Sequence, residues 1–276
     1  LTRYLATVTA GEASASAPLV VADGRGSLTG AFIIPEPGQP MDGAIAEFVE
    51  FTGAPLYARK HDYGADIPER LQESDSWTDR GTGRKTLVVF RPGAGWVPGR
   101  LALFLGLCKA AGLVVDVTLH PEAHHKMHAE QYRVLCEIYV PVIHQYGFTH
   151  TFCVSNFAAI TTDALERFWP GDEYADSVAV TFYPTGLSLD RAAAFADEHG
   201  KPFGLAEFTP DFDRLCERDN MSFLDYTQDF FARRIADGKP CGDLVWLSGC
   251  RDGDFRIMRN PVFAAAFRKM TETLVT

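Results

Sequence analysis

The chain has 276 residues, of which 46% are hydrophobic, enough for a large core and close to the roughly 250 residues of a one-domain α/β barrel. Its net charge of −10 argues against a nucleic-acid partner or an anionic membrane surface, because nothing in that balance would neutralise phosphate. No apolar run approaches the roughly 20 residues of a membrane span, so no membrane insertion is expected.

Residues 1–27 contain GEASASAP and DGRG, are small and polar, and read as a linker or a short structured lead-in. The chain opens on Leu1 without a secretory apolar segment, which reads as a processed chain or a piece of a longer polypeptide or assembly. From residue 28 onward, strand-like and helix-like segments alternate. Strands are predicted at 30–35, 55–61, 86–92 and 113–119, then at 148–154, 177–183, 202–208 and 243–249. They are short and rich in β-branched or aromatic residues. Several are apolar throughout, as parallel strands covered on both faces should be.

The helices between them carry apolar stripes at three- and four-residue steps. Leu101, Phe104, Leu107, Cys108 and Ala111 form one stripe. Tyr132, Leu135, Cys136, Tyr139, Val142, Ile143 and Tyr146 form the next, with Pro141 expected to kink that helix. The last helix opens with Asn260 as its cap and Pro261 at its first position, and buries Phe263, Phe267, Met270 and Leu274. Gly112, Gly147, Gly200 and Gly238 each stand between a helix and a strand, where the left-handed conformation ends the helix. Eight strands alternating with crossovers predict a single-domain (β/α)8 TIM barrel over residues 28–276. A doubly wound open sheet is the runner-up, but no glycine-rich phosphate loop follows the first strand.

The six cysteines, Cys108, Cys136, Cys153, Cys216, Cys241 and Cys250, show no CxxC spacing and read as buried free thiols. A Cys241–Cys250 bridge would have to join opposite ends of the last strand.

The chemistry-bearing residues gather at predicted strand ends. Glu207 stands at the tip of the otherwise apolar strand in KPFGLAEFTP. An ionised side chain is rarely left in a core, and the C-terminal tips of barrel strands are where catalytic groups collect. Glu122, in TLHPEAHHKMH after an earlier strand, is a second carboxylate. Two carboxylates on the tips of one barrel suit glycosidic bond cleavage. His61, Asp62 and Tyr63 follow the second strand, and Arg91 and Trp96 follow the third. Trp96 lies in the glycine-rich PGAGWVPG, which predicts a ring exposed to ligand. His124 and His128 are one helical turn apart, but HExxH is absent and no third ligand is evident, so no metal is expected.

Two further stretches carry a family resemblance. FWPGDEYADSVAVTFYP and then KPFGLAEF, followed by the closing LVWLSGCRDGDFRIMRNPVFAAAFRKM, resemble glycoside hydrolase family 26 and its bacterial and phage relatives. The resemblance runs from about residue 28 to the end and is strongest in the second half. It implies that Glu207 is the nucleophile, that Tyr183 hydrogen-bonds and orients it, and that Trp246 is an aromatic platform beneath a sugar ring. The family's acid/base glutamate follows a histidine directly, whereas here His120 is followed by Pro121 and only then Glu122. Thr181 also stands where the family carries an acid. His120 is implied to lie beside the sugar, and His124 to hydrogen-bond substrate or Glu122.

The resemblance therefore implies a retaining hydrolase of a β-linked polysaccharide or oligosaccharide, mannan-like or a related β-glycan. Glu207 and Glu122 would carry out a double displacement with no cofactor. The second reading is a catalytically impaired carbohydrate-binding barrel of a phage tail or cell-surface protein. Either reading implies a carbohydrate partner and an extracellular, virion or cell-surface location.

Overall fold

The computed structural model describes residues 2–10, 13–21, 29–71, 75–93, 95–184, 188–211, 215–248 and 260–274. Strands β1 (Thr2–Ala10) and β2 (Ala13–Val21) pair antiparallel as a two-stranded sheet of their own, within the segment read as a linker or lead-in. Eight further strands form a closed, all-parallel barrel. They are β3 (Thr29–Ile33), β4 (Ala58–Gly64), β5 (Lys85–Phe90), β6 (Val114–Leu119), β7 (Thr149–Ser155), β8 (Ser177–Phe182), β9 (Phe203–Phe208) and β10 (Cys241–Ser248). Pairing of β10 with β3 closes the ring. The expected (β/α)8 TIM barrel is the observed architecture. Each strand lies within a few residues of its predicted span; Gly249 and Cys250 are outside the described residues, as is any Cys241–Cys250 link.

Helices α1 (Met41–Thr52), α2 (Pro98–Ala110), α3 (Ala129–Gln145), α4 (Asn156–Thr161) and α5 (Ala164–Phe168) cover the first part of the ring. Helices α6 (Asp190–Glu198), α7 (Glu217–Ala236) and α8 (Pro261–Leu274) cover the rest. The apolar stripes face inward: Leu101, Phe104 and Cys108 on α2 and Tyr132, Cys136, Tyr139 and Ile143 on α3 are buried. Helix α3 continues through Pro141 to Gln145. Asn260 caps α8 by accepting the Val262 and Phe263 amides at 3.0 and 3.4 Å.

The alternation is interrupted between β4 and β5, where the crossover contains a 3-10 turn at Asp75–Asp79 among its described residues. A buried ion cluster fixes that turn. Arg59 Nε and Arg84 Nη1 donate to Asp79 Oδ1 at 3.0 and 2.8 Å, and His61 Nε2 donates to Asp79 Oδ2 at 2.9 Å. Burial pushes the Asp79 carboxyl up, but the His61 hydrogen bond and the Arg59 charge outweigh it and lower the carboxyl to about 2. Since successive side chains on a strand take opposite faces, anchoring Arg59 and His61 outside the barrel turns Lys60 and Asp62 inside.

The base of the barrel is also charged. Lys85 on β5 lies 2.6 Å from Asp243 on β10 and 3.1 Å from Asp116 on β6. Burial opposes the Lys85 charge, yet the two carboxylates hold its ammonium well above the ordinary lysine range. A cavity of 210 Å³ runs along the axis between this cluster and Lys60.

Removing the carboxylate that fixes the crossover should be costly, because it strands buried cations. Asp79→Ala is expected to lose about 3–5 kcal/mol in urea unfolding. In the unsubstituted chain the depressed Asp79 carboxyl contributes stability above its ordinary value near 3.8, and this is lost as pH falls towards about 2. The substitution should therefore flatten the stability profile across that window.

Candidate active site

Glu207 sits at the C-terminal end of β9 with 18% of its side chain exposed, and both of its oxygens are engaged. Lys60 Nζ donates to Oε2 at 2.9 Å, and the Tyr183 hydroxyl donates to Oε1. Burial pushes the Glu207 carboxyl up, but the Lys60 charge and the Tyr183 hydrogen bond outweigh it, so the carboxyl lies below its usual range. Tyr183 moves the other way: burial, then the Glu207 and Glu122 charges, hold its hydroxyl well above the ordinary value. It remains a protonated donor beside an ionised carboxylate.

Glu122 reaches the same mouth by an unusual backbone path. His120 and Glu122, on either side of Pro121, have φ of 45° and 58° and are the two non-glycine residues with positive φ among the described residues. Left-handed conformations cost side-chain-bearing residues energy and persist where the surroundings enforce them. Here the enforcing contacts are the His120 amide on Phe90 O at 2.7 Å and the Glu122 amide on Cys153 O at 3.1 Å. The double reversal turns Pro121 towards the axial cavity, and the Thr181 hydroxyl donates to Glu122 Oε1. Thr181 is the register partner of Glu207 across β8 and β9, so the two carboxylates are served from neighbouring positions.

Arg91 also faces the mouth. It grips Asp62 with both terminal guanidinium nitrogens, Nη1 to Oδ1 and Nη2 to Oδ2, the latter at 2.6 Å, and lines an open cleft with Lys60, Phe32 and Met41. Desolvation raises the Asp62 carboxyl, but the Arg91 hydrogen bonds and charge bring it below the ordinary value.

Several predicted ligand contacts fall elsewhere. Trp246 is 0% exposed and packs edge-on against Phe208 and against Phe267 of α8 at 5.4 and 5.8 Å, so it belongs to the strand–helix core and offers no face to a sugar. His61 points outward to Asp79, as β4 alternation requires. Trp96 is half-buried against Phe90 and Tyr139, with its Nε1 donating to Ala65 O at 2.6 Å, so it anchors its loop on α3. His120 is buried and donates Nε2–H to Pro92 O at 2.8 Å, which ties its loop to the one after β5. His124 pairs with Ser155 Oγ at 3.1 Å and not with Glu122, in a separate groove with His125 and Phe157. Burial, then the neighbouring His125, lowers His124 to about 4.

Lys60 and Thr181 were not singled out as site residues by sequence. The alternation in Ala58–Gly64 carries the former: once Asp62 is given to the mouth, Lys60 shares its face.

No protein-family model matches the chain, and no curated protein matches its sequence. Solved structures do match. A ruminal glycoside hydrolase family 26 endo-β-1,4-mannanase superposes with TM-score 0.58 at 12% identity, over 92% of this chain and 64% of that one. A modular endo-β-1,4-mannanase from Cellulomonas fimi gives 0.63 at 14% identity, over 90% and 70%. A Bacillus subtilis mannanase gives 0.59 at 14%, over 89% and 86%. The chain has the fold of the family 26 mannanases. It spans slightly less than two thirds of the ruminal mannanase.

The buried packing of Trp246 has a direct check. Trp246→Phe should cost about 1–3 kcal/mol in denaturant unfolding through lost packing. A variant with unchanged stability would remove the ring from the core.

Proposed function

We propose that the chain is a retaining glycoside hydrolase acting on a β-linked polysaccharide or oligosaccharide, mannan-like or a related β-glycan. The supporting observation is the pair of carboxylates in one barrel mouth, each with its own hydroxyl donor, Tyr183 on Glu207 and Thr181 on Glu122. Two carboxyl groups in one mouth suit glycosidic bond cleavage, and the resemblance to family 26 favours the double displacement. An ionised Glu207 attacks the anomeric carbon while Glu122 gives its proton to the departing glycosidic oxygen, which leaves with the bonding pair. Glu122 then takes a proton from water, whose oxygen displaces Glu207 and regenerates the carboxylate. The protonated Tyr183 keeps one Glu207 oxygen in place throughout the approach. The mannan-like preference draws on the superposed structures, which are named as endo-β-1,4-mannanases. A polysaccharide substrate also suits an extracellular, virion or cell-surface setting.

The test is hydrolysis of β-mannan, other β-glycans and activated aryl β-glycosides, with product stereochemistry read by proton NMR. Retention at the anomeric carbon is expected. Glu207→Ala should abolish turnover while glycan binding persists. Glu122→Ala should lose about 10²–10⁴-fold on β-glycan and less on an aryl glycoside whose leaving group needs no proton. A wild-type chain that binds glycan but hydrolyses none of these substrates would be a carbohydrate-binding barrel, and an inverted product would exclude Glu207 as nucleophile.

A further inference from the structure

We propose that Lys60 is the positioning residue of Glu207: reaching across the barrel mouth, its ammonium keeps that carboxylate ionised and fixes the plane in which it meets substrate. The inference rests on the reading of Glu207 as nucleophile. In the closed sheet, β4 and β9 are separated by β10 and β3, so the contact is a tertiary bridge between distant strands. Lys60 Nζ donates both to Glu207 Oε2 at 2.9 Å and to Ala206 O at 3.2 Å. One ammonium therefore grips the side chain of Glu207 and the backbone just before it. The side chain of Lys60 is 6% exposed, and its Nζ lies 5.3 Å from the centre of the Phe32 ring. A long, flexible lysine is thus held at its charged end, with little of its own surface left to solvent.

The groups around Glu207 leave the task to Lys60. From β4 come Lys60 and Asp62, and Asp62 is engaged by Arg91 from the loop after β5. From β7 comes Cys153, whose thiol burial pushes up to about 12 and so keeps neutral. Glu122 comes from the loop after β6 and Tyr183 from the end of β8. Among these, Lys60 is the cation in direct contact with Glu207, while burial and the Asp62 charge both favour a protonated carboxyl. Tyr183 holds Oε1 from one side and Lys60 holds Oε2 from the other, which fixes the carboxyl plane.

The experiment compares the pH dependence of kcat/KM on an activated aryl β-glycoside for wild type, Lys60→Met and Lys60→Arg. In Lys60→Met the acid limb should move up by about one pH unit or more, with kcat/KM at neutral pH down about 10²-fold or more. Lys60→Arg should return the limb towards its wild-type position. A folded Lys60→Met with an unmoved acid limb overturns the proposal, because lost packing alone would lower the rate without moving it. In parallel, the Glu207 carboxyl is titrated by carbon-13 NMR, assigned with Glu207→Gln. If the wild type hydrolyses nothing but the Glu207 titration rises in Lys60→Met, the hydrolase reading fails and the role of Lys60 stands. If the titration is unmoved, the role of Lys60 fails whatever the activity. Lys60→Gln replaces Lys60→Met should the latter not fold; failure of both to fold would make Lys60 a structural residue and overturn the proposal.

Discussion

A carboxylate with 18% of its side chain exposed must be compensated by the protein around it, and Glu207 is compensated from two sides of the barrel mouth. Tyr183 comes from the end of the neighbouring β8, whereas Lys60 comes from β4 and arrives only when the sheet has closed through β10 and β3. Closure and the charged site are therefore coupled. The barrel supplies the partners, and the ion pair ties strands that share no hydrogen-bonded edge.

The same strand links the site to the outer shell. On β4, Arg59 and His61 are drawn out to Asp79, and this sets the rotation that sends Lys60 and Asp62 inward. The crossover between β4 and β5 buries a carboxylate with two arginines and a histidine where most other crossovers bury the face of a helix. Such a cluster is directional in a way that apolar packing is not, which suits a strand whose alternating faces carry opposite tasks.

The loop after β6 follows an unusual backbone path. A proline between His120 and Glu122 moves the glutamate one residue along, which on a continuing strand would turn it to the other face. Left-handed conformations at His120 and Glu122 reverse the chain twice and return the carboxylate to Thr181. The associated strain is balanced by amide bonds to β5 and β7. Trp246 is buried, Trp96 is pinned to α3 and His120 is tied to Pro92, so among the described residues the two glutamates meet charged and hydroxyl partners, Lys60, Tyr183 and Thr181.

The barrel was legible in the sequence because its determinants are local. Short apolar strand runs, helix stripes such as that on α3, the Asn260 cap and glycines after helices each act within a few residues, and together they force alternating strands and crossovers. Glu207 was legible for a related reason, as a lone charge ending an apolar strand. Which aromatic rings and histidines would face the mouth was not. His61 lies in the middle of β4, Trp96 in the loop after β5 and Trp246 in the second half of β10, and whether such a side chain turns inward or outward depends on strand rotation and on partners far along the chain, Asp79, Tyr139 and Phe267. The Lys60–Glu207 pair spans 147 positions and exists only across the closed ring. Local periodicity determined the elements and the place where charge would collect. Only tertiary closure decided which charges meet, because a buried ion selects its partner by distance in space.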